Sequence, residues 1–141
     1  MTDILPKIFV TMGSCVSVAF GIWHFTVPGS WKWYSYIDAA ATELVAAVRA
    51  INVFFSLSLV LFGLMNVFLI YEKTTSRYSL LVVLSATCIL WLARVVMQLV
   101  YPQGSMNPIL RYGMLAAFVT VFLFYVVSLI LSASAASFHS R

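Results

Sequence analysis

Acidic side chains are scarce in this chain: four Asp or Glu stand against eight Lys or Arg in 141 residues, and only 9% of positions are charged. So thin and scattered a basic excess excludes a nucleic-acid surface, which needs basic side chains clustered on one face. It also excludes an ordinary soluble domain, where about a quarter of residues are charged. Cysteine is nearly absent, and Cys15 and Cys88 both fall inside apolar runs, so no disulfide framework is expected. They read as small buried thiols. A redox pair stays open, because the two share a depth if the first and third spans run parallel. Catalytic signatures are missing too: there is no HExxH, no pair of intramembrane carboxylates, no Gly-rich phosphate loop and no nucleophile elbow. His24 has no second intramembrane histidine, and bis-His haem ligation would need His139 from the tail, so no metal is expected. No glycosylation acceptor occurs either, since Pro108 follows Asn107 and neither Asn52 nor Asn66 has Ser or Thr two residues on. These absences argue against an enzyme.

What the chain has is hydrocarbon: 63% hydrophobic residues and a mean hydropathy of +1.03. Four apolar runs, about residues 7–27, 46–70, 79–101 and 109–131, are each long enough to cross a bilayer as a helix. They predict an all-α integral membrane protein, an antiparallel four-helix bundle that uses residues 1–141 as a single transmembrane domain. The first run follows Lys7 like a secretory signal, but it is long and ends in Trp23-His24-Phe25-Thr26-Val27-Pro28, with no pair of small residues, and is read as a retained span. An even number of spans puts both termini on one side. Lys7, Lys73, Arg77 and Arg141 then oppose Lys32, Arg49 and Arg111, and the positive-inside rule favours cytoplasmic termini. Residues 132–141, small and polar, are expected to be a flexible tail.

Between the first two spans, Pro28-Gly29 is expected to end the helix. Trp31, Trp33, Tyr34 and Tyr36 follow, interleaved with Lys32. Rings with one polar edge settle at headgroup level, so residues 28–43 predict an interfacial loop. It serves as an anchor or as a lid over a polar pocket. Asp38 and Thr42 are candidate caps for the second span. Residues 101–108, bracketed by Pro102 and Pro108, predict a turn between the last two spans.

Carrying the chain back and forth brings His24, Arg49, Asn52, Arg94 and Gln98 to one leaflet, and leaves the opposite half sealed by Leu, Val and Phe. Helical spacing sorts them into stripes. Gly13, Ser17, Gly21, His24 and Pro28 share one side of span one, a small-residue face suited to close helix contact. Arg49, Asn52, Ser56 and Gly63 share one side of span two, and Trp91, Arg94, Gln98 and Tyr101 one side of span three. Gln98 is placed to hydrogen-bond beside the Arg94 guanidinium. An intramembrane Arg costs from about 2.5 to more than about 10 kcal/mol, depending on how it is measured, so Arg94 either snorkels and pairs or lines a functional cavity. His24 likewise is either a hydrogen-bonded packing residue or a ligand and proton-handling group. Asp38 and Glu43 are the only acids on that side and the candidate counter-ions, although Glu43 with Arg49 also reads as a structural ion pair.

The segment Gly21-Ile22-Trp23-His24-Phe25-Thr26-Val27-Pro28 at the end of a first span, followed by three more spans, resembles the DoxX-like small bacterial four-helix membrane proteins. The resemblance carries over only Gly21, His24, Phe25 and Pro28. It implies an antiparallel four-helix bundle in the bacterial cytoplasmic membrane and, for some members, association with quinone-linked redox complexes.

Converging stripes would place His24, Arg49, Asn52, Trp91, Arg94 and Gln98 around a recess for an anionic or carbonyl-bearing amphipathic ligand, a lipid headgroup or a quinone. Membrane lipids are the expected partners. Alternatively the chain is a non-catalytic subunit of a larger membrane complex, or a quinone-linked redox component, with homo-oligomers also open. A channel is disfavoured by polarity confined to one half.

Overall fold

The computed structural model describes residues 4–104 and 107–134. Four of its helices, α1 (Ile4–His24), α3 (Thr42–Tyr71), α4 (Arg77–Val100) and α5 (Pro108–Ser134), are long and apolar enough to cross a membrane. The short helix α2 (Val27–Ser30) and a 3₁₀ turn, Trp33–Tyr36, lie between α1 and α3. The architecture is therefore the expected all-α four-helix bundle. Among the described residues of the expected tail, Ser132–Ser134 continue α5; the remainder lies outside them.

Local chemistry sets the helix ends. The Ser76 hydroxyl accepts from the Ser79 backbone N–H at 3.1 Å and starts α4. Asn107 Oδ1 accepts from the Ile109 N–H at 3.0 Å at the start of α5, where Pro108 forgoes a donor that would be unpaired anyway. At α3 the structure departs from expectation. Neither Asp38 nor Thr42 caps the helix; the cap position is Ala41, and Asp38 Oδ1 instead accepts from the Ala40 N–H at 2.9 Å in the preceding turn. Nor does α1 run to Pro28. It stops at His24, and Pro28 lies in the first turn of α2, where its fixed φ suits a new helix. Thirty residues of α3 measure about 45 Å, longer than the hydrocarbon core, so its first turn, with exposed Glu43, stands in the polar zone.

Around the bundle, α1 packs against α3 and α5, and α4 against α5, while α3 and α4 meet more sparingly. The α1–α3 contact is tight because it is built on missing side chains. A Cβ on Gly21 would stand 2.8 Å from the Ser56 carbonyl oxygen, and one on Gly63 would stand 2.8 Å from a Val18 methyl. Dispersion over closely approaching backbones is what holds helices together where water exclusion is lost.

The core comprises Val10, Leu59, Leu84, Trp91, Phe118, Val121 and Tyr125. Through it runs a buried polar layer. The Tyr125 hydroxyl lies 3.1 Å from Ser14 Oγ and 3.0 Å from Ser17 Oγ. Asn66 Nδ2 donates to Thr87 Oγ1 at 2.7 Å, while Asn66 Oδ1 is unpaired. The half expected to be sealed by hydrocarbon alone therefore carries its own polar pair. Both cysteines are free thiols, Cys15 exposed on the bundle surface and Cys88 buried.

Candidate functional site

The sparing contact between α3 and α4 leaves a cavity of about 390 Å³ near the end of the bundle that holds the α1–α3 connection. That is within the range of about 300–1,000 Å³ typical of small-molecule sites. Its buried polar wall comes from three helices: His24 at the last turn of α1, Asn52 of α3 and Arg94 of α4, respectively 6%, 6% and 8% exposed. Val48, Ile51, Phe55, Met97, Tyr101 and Trp33 complete it, together with Gln103 from the α4–α5 loop. The rim is largely apolar and open: Ile51 of α3, Met97 of α4 and Tyr101 just beyond α4 are 67%, 50% and 69% exposed.

Among the described residues Arg94 has no counter-ion. Its Nη2 donates to Gln103 Oε1 at 2.6 Å, and its guanidinium lies over the Phe118 ring, 4.2 Å from the centroid. Gln103 lies beyond the end of α4, so the partner of this charge is drawn from the α4–α5 loop and the charge is tied toward that end of the bundle. The expected counter-ions do not reach it. Among the described residues Asp38 engages its own turn, Glu43 is exposed, and no ion pair forms, Glu43 with Arg49 included.

His24 is oriented by a relay. The Ser56 hydroxyl donates its one hydrogen to the Asn52 carbonyl at 2.7 Å, so at 3.3 Å from His24 Nδ1 it is left as an acceptor. The donor and acceptor roles of the two ring nitrogens follow from the tautomer. Phe55 and Trp33 set the ring from either side, with centroids 4.7 and 6.1 Å away. The Asn52 side chain lies close enough to interact with the imidazole, yet no hydrogen bond closes on its buried Oδ1. The cavity thus combines a strong donor on the α4 wall with an imidazole and a side-chain amide on the α1 and α3 walls.

Of the six candidates from the sequence, the structure brings His24, Asn52 and Arg94 together and leaves three outside. Arg49 is exposed and lies over the Tyr34 ring at 5.0 Å, apart from the cavity. Trp91 is buried in the core, its indole N–H donating to Ser17 Oγ at 3.1 Å. Gln98 does not hydrogen-bond the guanidinium: its amide Nε2 donates to the Gln103 carbonyl at 3.1 Å and its Oε1 accepts from the Gln103 N–H at 3.3 Å. It fastens the loop that supplies Arg94 with its partner. In the aromatic loop Trp33 covers His24, Trp31 packs on Trp23 at 6.3 Å, Tyr34 receives Arg49, and Tyr36 is exposed.

Gln103 itself escaped the sequence reading, because a glutamine in a proline-bracketed turn carries no periodicity. The one available signal was its distance of five residues from Gln98. Outside the spans, the Glu72 carboxyl is held below its ordinary range by hydrogen bonds from the Thr74 backbone N–H and hydroxyl, at the far end of α3. Among the described residues no group of three or more His, Cys, Asp or Glu side chains could hold a metal ion. No family model, curated protein or solved structure matches the chain.

Proposed function

We propose that this small polytopic membrane protein binds, in the recess between α3 and α4, the polar head of an amphipathic ligand that is anionic or carbonyl-bearing. The observation that carries this reading is Arg94, a buried guanidinium lining a cavity with one neutral amide, one ring face and, among the described residues, no carboxylate partner. An anion or a strongly polar carbonyl drawn into the cavity offsets the cost of that charge. The exposed apolar rim of Ile51, Met97 and Tyr101 supports arrival from the bilayer, with the ligand's hydrocarbon left among lipid chains. A quinone is the alternative occupant, its carbonyl facing Arg94. DoxX-like membership and residence in a bacterial cytoplasmic membrane with cytoplasmic termini belong to the same proposal.

The test is purification in mild detergent, with lipids and quinones in the extract quantified by mass spectrometry for wild type, Arg94→Gln and His24→Ala. A stoichiometric amphiphile retained by wild type and lost from Arg94→Gln, with helicity unchanged, supports the reading. Identical extracts from folded wild type and Arg94→Gln overturn it. A stable heteromeric partner in place of a ligand would support the role of assembly subunit.

A further inference from the structure

Away from Arg94, at the end of the bundle where α1 begins and α5 ends, another cavity of about 240 Å³ is set among all four long helices. Two cations line it from different helices, Lys7 near the start of α1 and Arg77 at the first position of α4. Each is anchored by groups without a net charge. Arg77 Nη2 donates to the Ser132 carbonyl at 2.6 Å and also to that of Ala133, in the last turn of α5, where a cation complements the helix dipole. Lys7 Nζ lies 5.7 Å from the centroid of the Tyr71 ring, whose hydroxyl is 3.1 Å from Thr11 Oγ1. A ring face and two backbone carbonyls fix the cations and offset their charge only in part. Among the described residues the Arg77 Nε and Nη1 make no hydrogen bond, and no carboxylate lines the cavity. Glu72, exposed in the adjoining turn, accepts from Thr74 instead. Two like charges on one recess repel each other, and an anion between them removes that repulsion.

The rest of the wall bears on what that anion belongs to. Ile70, Leu80 and Leu131, half-buried hydrocarbon from three helices, stand beside the cations. The volume falls below the range of about 300–1,000 Å³ for sites that enclose a whole small molecule, so the cavity suits one part of a molecule whose remainder lies outside. A free hydrated anion gains nothing from the three hydrophobic side chains. A lipid does: its phosphate meets the cations at headgroup level while its glycerol and first methylenes cover the hydrocarbon. Basic pockets between spanning helices take anionic headgroups in this way.

We propose that this recess is a second ligand site, one that seats the phosphate of an anionic phospholipid between Lys7 and Arg77, in the leaflet on the side where α1 begins and α5 ends. It is independent of the Arg94 recess, which lies at the other end of the bundle. Choline headgroups are disfavoured, because their own ammonium cancels the charge of the phosphate and would be brought beside two more cations.

The experiment reconstitutes the full chain in phosphatidylcholine nanodiscs doped with a phosphatidylglycerol that carries a diazirine at the start of one acyl chain, and maps the photo-adducts by peptide mass spectrometry. Wild type is expected to form adducts on the segments around Lys7, Arg77 and Leu131. Replacing part of the phosphatidylcholine by unlabelled phosphatidylglycerol, in about tenfold excess over the probe, should lower their yield about fivefold or more by mass action. Lys7→Gln should lower it by about fivefold, the worth of one basic residue at an anionic membrane surface, while Lys7→Arg keeps it and neither changes labelling near Arg94. Wild type that forms no adducts at this end, or forms them equally with and without unlabelled phosphatidylglycerol, overturns the second site whatever occurs at Arg94. An unchanged yield in folded Lys7→Gln overturns it as well. Loss of the adducts on adding millimolar inorganic phosphate at constant ionic strength overturns lipid as the source and leaves an anion site. The first two outcomes and the phosphate arm are read on wild type, so misfolding of a variant cannot obscure them.

Discussion

Arg94 and Gln103 are nine residues apart and joined by a 2.6 Å hydrogen bond, so the buried guanidinium of α4 depends on a loop side chain beyond that helix. Removing the amide should therefore destabilise the fold through the charge it leaves behind. Gln103→Leu is expected to cost about 1.5–3 kcal/mol, the range for a hydrogen bond to a charged group. Reversible unfolding in mixed micelles measures it. In an Arg94→Met background the same substitution should cost little, and equal costs in the two backgrounds would show that the bond contributes nothing.

Trp91 ties α4 to α1 through Ser17, which also meets the Tyr125 hydroxyl. Trp91→Phe keeps an aromatic ring and removes the N–H donor. Hydrogen bonds between membrane helices average about 0.6 kcal/mol, so a loss of about 0.5–1.5 kcal/mol is expected, against about 3–5 kcal/mol for Trp91→Ala, which also opens a cavity. Comparable losses for the two variants would mean that the ring's packing is not what the site requires.

Two glycines make opposite predictions. A Cβ at Gly63 meets Val18 and the Ser14 carbonyl, so Gly63→Ala is expected to cost about 1–3 kcal/mol by forcing α1 and α3 apart. Gly113, within α5, has nothing within 4 Å of that position, and Gly113→Ala should be neutral or stabilising by up to about 1 kcal/mol. Resistance to unfolding by sodium dodecyl sulfate ranks the two. The reverse order would show that α1 and α3 are not in close contact.

At the far end of the bundle, Glu72 is stabilised as a carboxylate by Thr74. A depressed folded pKa means that these bonds favour the fold above the ordinary carboxylate range and that their contribution is lost as the pH falls through the depressed value. Nuclear magnetic resonance titration should show the Glu72 carboxyl titrating below an unstructured Glu. Thr74→Val removes the hydroxyl's share and should move it part of the way back; an unchanged midpoint would exclude that hydroxyl as a cause.

Membrane character, helix number and the common level of His24, Asn52 and Arg94 were legible in the chain because each is a local quantity. Hydropathy sums over a window, and depth follows from helical rise, so counting along each run and reversing direction at each loop places the three at one end of the bundle. The small-residue face of α1 was legible for the same reason: Gly13, Ser17, Gly21 and His24 recur at helical spacing, and all are buried.

Helix rotation and loop path are not local, and they separated the remaining candidates. The stripe through Trp91, Arg94 and Gln98 spans enough of the helix circumference to face three different neighbours: the core at Ser17, the cavity, and the α4–α5 loop. Arg49 shares a stripe with Asn52, yet a turn nearer the surface the aromatic loop offers its side chain the Tyr34 ring. Gln103 became the partner of Arg94 only because the loop folds back over the end of α4, fastened by Gln98. Pairings of this kind depend on which surfaces meet when four helices close around one another, and that is settled by packing between distant segments, where periodicity carries no information.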